Sequence, residues 1–126
     1  PCAAAGELPG AALPDAGEAE PFGLHECSWR ADSGAELELE FALRPDPASG
    51  DGEPVDLGGG VTGRRAARSD VFPACEVSWL HRPGADPGGV GEVVAIEVRD
   101  VGRTGLDACG LAVGAATGLR PELPTG

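Results

Sequence analysis

Hydrophobic and polar residues alternate most strictly in residues 35–43, AELELEFAL. Leu37, Leu39, Phe41 and Leu43 are separated by Glu36, Glu38, Glu40 and Ala42. A period of two sustained over this run predicts a strand with one dry face and one wet face. Residues 27–31, CSWRA, read as a shorter strand, and the turn signal Asp32-Ser33-Gly34 between the two runs predicts a hairpin. Residues 75–80, CEVSWL, and 92–99, EVVAIEVR, read as two further strands, the latter with Val94, Ile96 and Val98 on one face.

The remaining segments carry other signals. Residues 2–13 are Ala-rich and weakly helical, interrupted at Pro9-Gly10 and stopped by Pro14. Residues 14–24 read as a loop. Residues 44–63 are rich in Gly, Pro and Asp, and 64–69, RRAARS, read as a short helix or a continuation of that loop, so 44–69 is expected to be a long exposed loop. Thr104 and Asp107 have capping-box spacing, with Asp in place of Glu. The helix they open would bury Leu106, Cys109, Val113 and Ala116 and end before Pro121. Each half of the chain holds a Cys in a helical segment, a strand with Cys followed by Trp, and a second strand. The expected fold is α+β, a single domain over residues 1–126. An antiparallel β-sheet carries N- and C-terminal helices on one face and two disulfides hold the fold.

Composition narrows the class. The chain has 126 residues, one domain's worth, and its few aromatics leave a core of Leu, Val and Ala. It lacks Lys, Asn, Gln, Met and Tyr and has one Ile, the mark of a GC-rich genome. The formal net charge is −12, which repels nucleic acid and anionic lipid surfaces and reads first as a source of solubility, with a cationic partner or metal ions as the functional alternative. No apolar run approaches the ~20 residues of a membrane span. A chain that starts at Pro1 is expected to follow a removed leader or an upstream anchor.

Cys2, Cys27, Cys75 and Cys109 are even in number, widely spaced and free of any CxxC, which argues for disulfides over zinc and places the domain in an oxidising compartment. Of the three pairings, Cys2–Cys27 and Cys75–Cys109 are expected, because each joins a helix to the strand unit of its own half.

Candidate chemistry is sparse. His25 and His81 stand apart from any nucleophile motif, so no catalytic residue and no cofactor is assigned. Asp46, Asp51, Glu53 and Asp56 could offer oxygen ligands to calcium, but their spacing does not match a calcium loop. Glu36, Glu38 and Glu40 would project from one strand face about 6.8 Å apart. That is too wide for one metal; the row reads as the solvent face of a sheet, with a row of cations on a partner as the alternative. Arg64, Arg65 and Arg68 form the basic cluster; it reads as charge balance on a loop, with a protease-inhibitor loop or an anion site as alternatives. Trp29 and Trp79 are expected to pack on neighbouring disulfides; a sugar-stacking platform is the alternative.

Pro1-Cys2, Cys27-Ser28-Trp29 and Asp107-Ala108-Cys109, the last in a terminal helix before Pro121 and Pro124, carry a resemblance. The pattern resembles small actinobacterial cell-envelope lipoproteins of unknown function. It is also similar in plan to the extracellular sensor domains of actinobacterial Ser/Thr kinases. That resemblance implies an envelope location and no known catalysis, and it supplies no site residues. The expected function is a non-enzymatic extracytoplasmic module that binds a small ligand, a glycan or an envelope protein. The alternatives are a secreted inhibitor or toxin-associated factor contacting its target through Arg64–Arg68, and a carboxylate-dependent hydrolase.

Overall fold

The computed structural model describes residues 20–21, 26–30, 34–47, 52–68, 71–84 and 90–120. They form β1 (Glu20–Pro21), β2 (Glu26–Arg30), β3 (Ala35–Pro45), β4 (Glu53–Asp56), β5 (Thr62–Arg68), β6 (Ala74–Arg82), β7 (Val90–Asp100) and α1 (Ala108–Leu119). The strands make one antiparallel sheet in the order β1-β2-β3-β7-β6-β5-β4, with α1 against β5, β6 and β7. The expected hairpin of β2 and β3 is present, with Cys27 opposite Leu39 and Trp29 opposite Leu37.

The alternation read from residues 35–43 sets the two faces. Leu37, Leu39, Val77, Val94, Ile96 and Val98 are wholly buried on the helix side of the sheet, joined by Cys27, Trp29, Cys75 and Trp79. Burying each such aliphatic side chain contributes roughly 1.5–3 kcal/mol. Phe41, expected in this core, is only half-buried against its edge, and Leu43, one step further along, is exposed. Both lie towards the end of β3, and α1 makes its main contacts with β6 and β7.

The centre of the sheet joins the two halves of the sequence. β3 pairs with β7 from Ala35 opposite Asp100 to Pro45 opposite Val90. The β2–β3 and β6–β7 hairpins thus meet back to back. Cys27, opposite Leu39, and Cys75, opposite Val98, hold matching places about that seam.

Several expectations need correction. The segment 44–69 is not one long loop: β4 and β5 form a hairpin within it, closed by Gly58, Gly59 and Gly60 at φ of 84°, 59° and 77°, a left-handed run that favours glycine. β5 was hidden because Gly63, Arg65 and Ala67, opposite the apolar positions of β6, carry no apolar periodicity. A Cβ on Gly63 would come within 2.8 Å of Leu57, whose buried side chain covers this strand.

The helix starts at Ala108 with Asp107 as its N-cap, Oδ1 accepting from the Gly110 N–H at 3.0 Å. Thr104 does not cap it, because its N–H and hydroxyl are bound to the Asp100 carboxylate. The left-handed conformation of Arg103 and Gly105 also keeps this stretch out of the helix. The buried stripe is Ala108, Ala112, Ala115 and Ala116, with Cys109, Leu111 and Val113 at its margins.

One disulfide, Cys75–Cys109, is described as expected, tying the first turn of α1 to β6. The other expected pair involves Cys2, and the expected N-terminal helix covers residues 2–13; both lie outside the described residues.

Candidate functional site

The sheet face opposite α1 is charged. Alternation places Glu36, Glu38, Glu40 and Arg44 of β3 there, with Glu97 and Arg99 of β7 and Glu76 of β6. Pairing sets Glu38 directly opposite Glu97, and Glu97 directly opposite Glu76, so three carboxylates stand abreast on adjacent strands. Like charges in that relation destabilise a sheet unless cations intervene.

Two arginines do so from opposite sides. Arg99 pairs with Glu38, lies 3.2 Å from Glu97 and 3.8 Å from Glu36. Arg44 lies 2.9 Å from Glu40 and 3.9 Å from Glu76. Arg30 closes the edge of this network at 3.0 Å from Glu36. The expected row of solvent-facing glutamates is therefore a half-buried network: the Glu36 and Glu38 side chains are 23% and 25% exposed.

Between the arginines the face is concave. A depression of about 210 Å³ is lined by Glu38, Glu40, Glu76, Glu97 and Arg44, with the short side chain of Ala95 at its base. Of these four carboxylates, Glu40 and Glu76 are met by Arg44 within the lining, and Glu38 and Glu97 by Arg99 beyond it. Beyond Ala95 the face turns apolar, with Val93 between Ala42 and Leu80.

The other candidates are scattered. Arg65 pairs with Glu53 across the β4–β5 hairpin, and Arg64 donates from Nη1 to the Gly52 carbonyl at 3.1 Å. Arg68 ends β5, its side chain outside the described residues. The basic cluster therefore belongs to a sheet strand, not to a loop. His81 is half-buried at the irregularity between Leu80 and Arg82, away from the depression, and His25 lies outside the described residues.

The acidic loop residues do not converge. Glu53 is taken by Arg65, Asp56 accepts from the Gly58 N–H at 2.9 Å, and Asp51 lies outside the described residues. Among the described residues no group of three or more His, Cys, Asp or Glu is arranged to hold a metal ion. Trp29 and Trp79 are buried in the core and present no stacking surface.

Asp100 is the buried carboxylate of the described residues. It accepts from the Thr104 N–H and hydroxyl at 3.0 and 3.2 Å, and from the N–H groups of Gly105 and Leu106 at 3.1 Å each. Donation from the Thr104 N–H, against the opposing effect of burial, and then from Leu106, the Thr104 hydroxyl and Gly105, holds its pKa below the usual carboxylate value. Its role is to fix the β7–α1 connection.

Sequence inspection identified the glutamates of β3 but not Glu76, Glu97, Arg44 or Arg99 as their neighbours. A usable signal was present: Glu76 and Glu97 each interrupt an apolar strand at the position facing away from the core.

No family model matches this chain, and no curated protein or solved structure matches it. Among the described residues no helix is long and apolar enough to cross a membrane.

Proposed function

We propose that this is a non-enzymatic, extracytoplasmic binding domain that receives a cationic group in the depression on the charged face of its sheet. The observation that carries the reading is the convergence of Glu38, Glu40, Glu76 and Glu97 on one depression, with Arg44 in its lining and Arg99 paired to Glu38 and Glu97 beyond it. The depression is smaller than the ~300–1,000 Å³ of ordinary small-molecule sites. It suits a single guanidinium or ammonium group better than a whole metabolite or sugar. The overall charge of −12 would draw such a group in from a distance, more strongly at low salt. The Cys75–Cys109 disulfide is compatible with an oxidising compartment. The resemblance of Pro1-Cys2, Cys27-Ser28-Trp29 and Asp107-Ala108-Cys109 to envelope lipoproteins is in keeping with the same location.

The test is an NMR titration with an arginine-containing peptide and, separately, with spermidine. Amide shifts should centre on Glu76, Ala95 and Glu97, weaken with salt, and be lost in the double variant Glu76→Gln/Glu97→Gln. Retained shifts in that variant, or no shifts with either probe in the parent, would overturn the reading.

A further inference from the structure

The way α1 is attached points to a conformational device independent of the charged face. The helix has little intrinsic stability. Gly110, Gly114 and Gly118 recur every fourth residue along it, and beyond the caps Asp107 and Arg120 its first and last turns carry no charge that complements its dipole. Its buried stripe is four alanines, whose methyl groups remove little area from water. Beyond that stripe, Leu111 and Val113 pack only partly buried at its margins, the Cys75–Cys109 disulfide ties one end, and the Arg120 Nε–H donates to the Leu57 carbonyl at 3.3 Å at the other. The connection before it has its own anchor, the Asp100 carboxylate, which accepts from the N–H groups of Thr104, Gly105 and Leu106.

We infer that Cys75–Cys109 is a redox latch: its reduction by a dithiol lets α1 leave the sheet from a hinge at Asp107, with the seven strands still paired. Cys75 is wholly buried and Cys109 only partly, so Cys109 is the point of attack. The dithiol's thiolate bonds to Cys109 Sγ, and Cys75 leaves as a thiolate that takes up a proton. The second thiol then displaces Cys109 as a thiol. The protein disulfide gains two electrons and two protons, and the dithiol becomes a disulfide. Departure of the helix uncovers Val77, Ile96 and Val98.

Hydrogen exchange on the full chain tests this, comparing the oxidised protein, the protein reduced with dithiothreitol with its opened cysteines located by alkylation, and the variant Cys75→Ala/Cys109→Ala. Amides of residues 110–119 should exchange at least about tenfold faster in the latter two, while those of β3 and β7 change by less than about twofold. A Cβ on Gly114 meets open space. Gly114→Ala should therefore slow helix exchange in the reduced protein about fivefold, the equivalent of ~1 kcal/mol of helix propensity. Unchanged protection of α1 would overturn the inference. Loss of β3 and β7 protection together with α1 would overturn it too, because the disulfide would then hold the whole fold and not a latch.

Discussion

The two faces of the same sheet are stabilised by different physics. On the helix side, Leu37, Leu39, Val77, Ile96 and Val98 are removed from water completely, and their contribution scales with buried area. On the opposite side, Glu38, Glu76 and Glu97 are held abreast by Arg44 and Arg99, and half-exposed ion pairs return little net energy. One face holds the fold. The other tolerates an unfavourable arrangement of like charges that the fold alone does not need, which is why the binding site is proposed there.

Substitutions should separate the faces by size of effect. Ile96→Ala, in the wholly buried stripe of the central strand, should cost about 2–5 kcal/mol in urea unfolding. A cost like that of a surface substitution would mean the register is wrong.

Asp100→Asn should come next and be recognised by its pH dependence. Because the folded-state pKa lies below the unfolded value of ~3.9, the carboxylate's contribution is fully present above that value. It is lost as pH falls towards and through the folded-state pKa. The variant should be less stable than the parent near neutrality, with the difference shrinking below about pH 4. A constant difference down to pH 2 would dismiss this role.

Arg99→Ala, which leaves three glutamates without their shared cation, should cost about 1 kcal/mol, less in high salt. Glu97→Gln should have the smallest effect, within about 0.5 kcal/mol, since it relieves two like-charge pairs while giving up the ion pair with Arg99. If Glu97→Gln were as damaging as Ile96→Ala, the contrast between the faces would collapse.

These contrasts also explain what the chain made legible. β3, β6 and β7 follow from alternation because one side of each is packed with branched or long apolar groups. β5 does not, because Gly63 and Ala67 leave no periodic signal and Arg65 is held by Glu53. The helix was recognisable, but its start was misplaced by three residues of connection that a distant carboxylate, Asp100, holds in a non-helical path. The site was half visible. Glu38 and Glu40 stand out in sequence, but their meeting with Glu76 and Glu97 depends on β3 lying beside β7 and β7 beside β6. No local pattern encodes that adjacency.

That strand order also bears on how the chain reaches its native state. The β2–β3 and β6–β7 hairpins close over short loops, whereas the β3–β7 seam joins residues as far apart as Ala35 and Asp100. Chain-closure entropy makes such a seam the slow step of folding. Until it forms, each hairpin carries an unpaired edge beside an uncovered apolar stripe, the surface most prone to aggregate. Refolding followed by stopped-flow fluorescence should therefore slow more on Leu39→Ala, within the seam, than on Val55→Ala in the peripheral β4–β5 hairpin, for equal losses of stability.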